Sequence, residues 1–265
     1  MKTITTTFVL FMLLFLGYSG YTQDYGQKET TLRILTFNIL HGATTQGDFD
    51  LDKIAAVIKD ANPDLVAMQE VDFKTRRAQN YDLATELGLR TKMAPLFGIA
   101  MPYDGGAYGE GILTKMPILK SENVALPHSP GNEPRAALSV LVQLESGDTI
   151  RFIATHLEHQ ENSTDRTDQV KKINAVFGDD DYPGILAGDL NDTPESEAIS
   201  ILKTVWTDSS KGKSFLTFPS DEPDRKIDYI LFRPAQRWEL IESREICDAV
   251  ASDHCAVLSV LKLKK

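Results

Sequence analysis

Asp253 and His254 stand side by side in Ser252-Asp253-His254-Cys255, immediately before the apolar run Ala256 to Leu261 near the C-terminus. A carboxylate beside an imidazole offers one hard oxygen ligand and one base that titrates near neutrality. At a strand end both are held rigidly. The dipeptide alone is common, and its weight comes from similar residues at the ends of other strand-like runs. Asn38 follows Leu32 to Phe37, Gln69-Glu70 follows Leu65 to Met68, and His156 closes Arg151 to Thr155. Asp189 and Asn191 follow Ile185 to Gly188, and Asp228 precedes Tyr229 to Leu231.

These side chains make one coherent chemical set. Glu70, with Asn38 and Asp253, supplies hard oxygen ligands for Mg²⁺, with Mn²⁺ as the substitute. His254 takes a proton from water, its tautomer fixed by Asp228. Asp189 or His156 donates to the leaving oxygen, while Asn191 and His156 hold non-bridging phosphate oxygens. Arg135 either clamps a phosphate through its planar fork or pairs with a surface carboxylate. Such a set suits metal-assisted hydrolysis of a phosphate ester.

Positioning these residues requires many short strands. Besides the runs above, residues 137–144 and 149–155 alternate as strands around the hairpin signal Ser146-Gly147-Asp148. Helical spacing of Ile54, Ala55, Val57 and Ile58 predicts a helix capped by Asp50 or Asp52. Further helices are expected over 81–87, stopped by Gly88, over 165–177, and over 195–203, capped by Thr193 and opened by Pro194. Strands outnumber helices, and both hairpin and strand–helix connections occur. The expectation is mixed sheets with helices packed outside them.

Eight blocks in order, TFNIL, MQEVD, YGEGIL, EPRAAL, ATHL, GDLN, KIDYI and SDH, resemble the endonuclease/exonuclease/phosphatase superfamily from Leu32 to Leu261. The resemblance implies an α/β (α+β) four-layer sandwich, two mixed β-sheets packed face to face with helices on the outside. It implies Glu70 as principal metal ligand, with Asn38, Asp189, Asn191 and Asp253 completing the metal and phosphate site. By the same resemblance Asp228 orients the catalytic His254, and His156 matches the second histidine of the deoxyribonuclease and sphingomyelinase branches. The chain departs from the pattern twice. Glu110-Gly111 stands where the family often has Asn-Ala, and Leu40 replaces an Asp of some repair nucleases, which weakens a two-metal mechanism.

Net charge is −10, which disfavours a bulk nucleic-acid partner, since such binding relies on Lys and Arg displacing counterions. Lys2, the apolar run Phe8 to Leu16 and the small residues Gly17, Ser19 and Gly20 read as a secretory signal peptide over 1–22. The alternative is a retained anchor, but a stable membrane span needs about 20 apolar residues. A catalytic domain is expected over 30–265, exported to the periplasm or outside the cell as a monomer. In that compartment Cys247 and Cys255 either form a disulfide around Asp253-His254 or remain two buried thiols on neighbouring strands.

His156-Leu157-Glu158-His159 does not read as a zinc pair, because strand alternation turns His159 away from His156, into an exposed loop. His41 faces either cleft or solvent, and His128 is a loop residue. Asp179-Asp180-Asp181 reads as a solvated turn, and Phe215, Phe218 and Trp206 as core or as a substrate wall. The expected function is an exported Mg²⁺-dependent phosphohydrolase, a phosphodiesterase acting on a small or lipid-headgroup phosphate ester. A secreted nuclease and a non-enzymatic binding protein on the same scaffold are the alternatives.

Overall fold

Two parallel strand–helix–strand units carry the chain, one in each of two sheets. The computed structural model describes residues 30–161, 164–213 and 215–265; the expected signal segment, 1–22, lies outside them. The elements run β1 (Thr30–Asn38), α1 (Leu51–Ala61), β2 (Leu65–Phe73), α2 (Leu83–Thr91), β3 (Ala94–Tyr103), β4 (Gly106–Thr114), β5 (Ile118–Leu126) and β6 (Arg135–Gln143). Then follow β7 (Thr149–His156), α3 (Thr164–Phe177), β8 (Gly184–Asp189), α4 (Glu197–Lys203), β9 (Thr207–Asp208), β10 (Asp228–Arg233), β11 (Trp238–Ile246) and β12 (Ala256–Leu263). The sheets have strand orders β11-β12-β1-β2-β4-β3 and β5-β6-β7-β8-β10-β9. Among the described residues only β1/β2 and β7/β8 pair in parallel.

Alternation along the central strands explains the layering. In β1, Ile34 points into the inter-sheet core with Leu65, Ala67, Phe152, Ala187 and Ile230, while Leu35 and Phe37 point outward to Ile54, Ile58 and Leu87. In the other sheet, Ile153, Leu186 and Tyr229 point outward to Val170, Ile173 and Leu202 of α3 and α4. Both faces of each central strand are therefore covered, and the strands read as continuous apolar runs. The expected four-layer order, helices–sheet–sheet–helices, is the one observed.

Register places the polar residues. In the parallel pairs Asn38 aligns with Gln69 and His156 with Asp189. In the antiparallel pairs Asp228 aligns with Asp189, and β12 enters beside the end of β1, with Thr36 opposite Val257. The C-terminal ends of β1, β2, β7 and β8 and the N-terminal ends of β10 and β12 thus share one rim.

Several element limits differ from the sequence reading. Asp50 caps α1 as expected, accepting from the N–H groups of Asp52 and Lys53. Helix α2 runs through Gly88 to Thr91, because that glycine admits the following strand: a Cβ there would meet Met93 O at 2.9 Å and Pro95 Cβ at 3.0 Å. Helix α4 is capped by Ser196, whose hydroxyl accepts from Ile199 N–H, not by Thr193. Strands β3, β5 and β11 carry no clear apolar signal. All three are sheet edges, where one side needs no cover and prolines such as Pro95 and Pro102 are tolerated.

Candidate active site

Glu70 reaches the rim through a break in β2. Met68 pairs with Gly111 and Val71 with Gly109, so Gln69 and Glu70 together oppose the single residue Glu110. This is a β-bulge, a device that re-aims a side chain. Glu70 itself has φ 58°, an unfavourable region for a non-glycine residue, of the order of 1 kcal/mol or more. Its carboxylate accepts from Asn38 Nδ2 at 3.3 Å and lies 3.3 Å from His41 Nδ1. Burial, the largest influence, would raise its pKa, but hydrogen bonds to His41 and Asn38 help hold it down at about 2. Glu70 is therefore ionised. His41 faces the cleft.

Asn38 is buried at the end of β1 and joins the sheets, donating from Nδ2 to Glu70 and, at 3.2 Å, to Asp189 Oδ2. Its Oδ1 accepts the Leu40 N–H at 3.1 Å. The next loop is pinned to the same strand, since Ser252 Oγ donates to Asn38 O at 2.7 Å. A disulfide joins Cys247 and Cys255, eight residues apart, and closes the loop carrying Asp253 and His254. Asp253 lines the cavity, and its pKa is raised by burial and then by the charge of Glu70, against the opposing pull of His254.

His254 Nδ1 lies 3.0 Å from Asp228 Oδ2, both side chains being buried. Its Nε2 faces Asp189 Oδ2 at 3.7 Å, and the Phe218 ring packs at 4.8 Å between centroids. Burial opposes the charged imidazole, but Asp228 and Asp189 outweigh it and raise the pKa to about 10. Asp189 goes the other way: burial and the facing Asp228 lift its carboxyl to about 7, against His254 and the N–H of Asn191.

His156 closes β7 with Nε2 3.4 Å from Asp189 Oδ2 and 2.8 Å from Asn191 Nδ2. Burial, then the Arg135 charge, depress its pKa well below the ordinary range, so it is neutral. Arg135 is buried in the cavity wall, paired with Glu133 at 2.9 Å, and its Nη atoms lie 3.2 Å from both His156 Nδ1 and His159 Nδ1. The strand ends at His156, and His159 is an exposed loop residue, as expected, at the edge of the cavity. Two imidazoles turned to one guanidinium are not a zinc pair. Glu110 is fully buried with neither carboxylate oxygen hydrogen-bonded, and burial raises its pKa well above the usual range.

Other wall residues escaped the sequence reading. Arg77 is held by Asp72 at 2.7 and 2.9 Å and stacks 4.5 Å over Tyr103. Tyr108, Met101, Arg166 and Arg225 also line this cavity of about 510 Å³. Phe218 is a wall residue, whereas Trp206 is core, its Nε1 donating to Asn174 Oδ1 at 3.0 Å. Asp180, within the expected solvated turn, pairs with Arg151.

The donor set suits a hard divalent cation. Glu70 and Asp253 place mutually repelling carboxylates on the cavity, and Asp189, Asp228 and His254 bring ligand atoms within 4.8 Å of one another. Oxygen-rich sets of this kind suit Mg²⁺ or Mn²⁺ over softer ions.

Residues 35–254 match the Endonuclease/Exonuclease/phosphatase family. The chain belongs to that family. Its fold is that of an endonuclease/exonuclease/phosphatase from Beutenbergia cavernae, with 24% identity, TM-score 0.71, and 88% of this chain and 72% of that one covered. A Bacteroides thetaiotaomicron mannosyl-6-phosphatase shares it at 16% identity and TM-score 0.70, covering 87% and 99% of the two chains. So does D. rerio TDP2, solved with a single-strand DNA product, at 18% identity and TM-score 0.68, covering 88% and 99%.

Proposed function

We propose that this member of a family of phosphate-ester hydrolases is an exported Mg²⁺-dependent phosphodiesterase acting on a small or lipid-headgroup phosphate ester. The observation that carries the reading is the 3.0 Å Asp228–His254 contact on the same rim as ionised Glu70. A non-enzymatic binder has no use for a base with its orienting carboxylate.

The roles follow from the geometry. Asp228 fixes the His254 proton on Nδ1, leaving Nε2 to take a proton from an attacking water. A cation on the neighbouring carboxylates opposes a second positive charge on His254, so proton release from His254 is linked to filling the site. Asp189 and His156 flank the leaving oxygen, Asn191 and Arg135 serve the phosphate, and Glu70, Asn38 and Asp253 hold the cation. Bound Mg²⁺ supplies Lewis-acid neutralisation of charge developing on the phosphate.

Substrate class is argued from charge and size. Each cavity arginine has a carboxylate partner: Arg77–Asp72, Arg135–Glu133, Arg166–Asp192 and Arg225–Asp224. With those pairs and a net charge of −10, the wall has no run of uncompensated cations to track a polynucleotide. Exposed Ile99, Tyr103 and Leu216 favour an apolar substituent or a lipid surface. Among the described residues no helix is long and apolar enough to cross a membrane. A panel of phosphomonoesters, small phosphodiesters, phospholipids and nucleic acids tests the assignment. Preference for the diesters or phospholipids supports it, and a preference for nucleic acid with steep salt dependence sinks it.

A further inference from the structure

We propose that Thr217 is a positioning residue that sets the spacing of Asp228 and His254 by binding the strand end that carries each of them.

The two partners come from different sheets. Asp228 opens β10 in one, and His254 stands two residues before β12 in the other. The ladders within each sheet therefore leave the 3.0 Å between Asp228 Oδ2 and His254 Nδ1 unfixed. The site end of β10 is also open on one side. It pairs with β8 from Asp228 onward, but among the described residues β9 covers only Leu231 and Phe232. Ile227 and Asp228 are both buried, so their N–H groups require an acceptor from the protein.

Thr217 answers both needs. Its Oγ1 accepts the N–H of Ile227 at 3.1 Å and that of Asp228 at 3.2 Å. A hydroxyl has two acceptor lone pairs, and these bonds use both. Its carbonyl oxygen accepts the N–H of Cys255, the residue after His254, at 2.7 Å. The side chain is fully buried, and a branched side chain is stiff at χ1. The next residues extend the hold on the His254 loop. Phe218 packs its ring on the imidazole, Ser220 N–H donates to Asp253 O at 2.7 Å, and Ser220 Oγ donates to Ser252 O at 2.6 Å. Without the Thr217 hydroxyl, two buried N–H groups are unpaired and the start of β10 must shift to regain partners. Asp228 then moves against an imidazole that the Cys255 bond still holds. The catalytic consequence rests on the proposed hydrolysis; the spacing of the pair does not.

The test reads the pair in Mg²⁺-loaded protein. A proton held between His254 Nδ1 and Asp228 gives a low-field ¹H resonance, identified by its loss in His254→Gln. In Thr217→Val, which keeps the branched shape and removes the acceptor, that resonance should move upfield or vanish. There kcat for bis(p-nitrophenyl) phosphate should fall by about 10- to 100-fold with KM little changed. Thr217→Ser, which restores the hydroxyl, should recover both. Thr217→Ala removes the same hydroxyl and is read in the same way if the valine variant does not fold. Ser259→Ala removes a buried hydroxyl bonded to Ser209 and Ser243 instead, and should leave both readings unchanged. Absence of the resonance from the wild type, or an unchanged resonance in Thr217→Val, overturns the proposal. So does a loss of kcat that Ser259→Ala matches, or an effect confined to KM. A wild type without turnover sinks the hydrolysis instead, and the resonance still decides whether Thr217 spaces the pair.

Discussion

Asn38 Nδ2 donates to Asp189 Oδ2 at 3.2 Å across 151 residues, tying the end of β1 in one sheet to the end of β8 in the other. The same amide reaches Glu70. One side chain thus supports carboxylates from both sheets.

Asn38→Ala leaves those buried acceptors short of a donor. Losing a buried donor to charged partners costs about 1–3 kcal/mol. Denaturant unfolding should show that loss, and activity should fall with it. A stability change within about 0.5 kcal/mol would show the bridge to be incidental.

Asp228 controls the charge of His254. The His254 pKa stands at about 10 against an ordinary 6.5, so its pairing stabilises the metal-free fold fully below pH 6.5. That contribution is lost as pH rises from 6.5 to about 10. Asp228→Asn should bring the imidazole titration down toward neutrality, read by NMR, and flatten the alkaline fall in melting temperature.

Mg²⁺ should stabilise the protein more as pH rises. Asp189 titrates at about 7 against an ordinary 3.8, so the metal-free fold loses stability across that interval as the carboxyl ionises beside Asp228. Over the same interval Asp189 adds a negative charge beside the cation site, and a cation bound only by the folded state raises the melting temperature. The Mg²⁺-induced shift in melting temperature should grow from pH 4 to 7 and vanish in Glu70→Ala.

Reduction of Cys247–Cys255 should impair the site before the fold. Closing so short a loop contributes about 2–3 kcal/mol in the chain-entropy view, but Cys255 directly follows His254. Cys247→Ser is expected to lower kcat at temperatures where circular dichroism still reports the native fold. Unchanged kcat would show that the Ser252 bond to Asn38 O and the Ser220 hydroxyl, which donates to Ser252 O at 2.6 Å, hold the loop by themselves.

The parts of the site legible in the sequence are those fixed by strand ends. Asn38, His156, Asp189, Asp228 and His254 each follow or precede an apolar run, and register alone brings them to one rim. Glu70 was visible by type, but the bulge that aims it needs Gly111 opposite, where a Cβ would meet Met68 Cε at 2.7 Å and Val71 Cγ2 at 3.0 Å, the residues on either side of the bulge. Arg77 was invisible because its place depends on a buried Asp72 and on Tyr103, which lies beyond α2 at the far end of β3. The edge strands β3, β5 and β11 lacked the apolar periodicity that marks covered strands.

Hydrolysis of bis(p-nitrophenyl) phosphate by the wild type, Glu70→Ala and His254→Ala proteins, each with Mg²⁺ and with EDTA, tests the central claim most directly. The wild type should turn over only with the metal, and both variants should lose at least about 100-fold in kcat. Metal-independent turnover, or full activity in either variant, would contradict it.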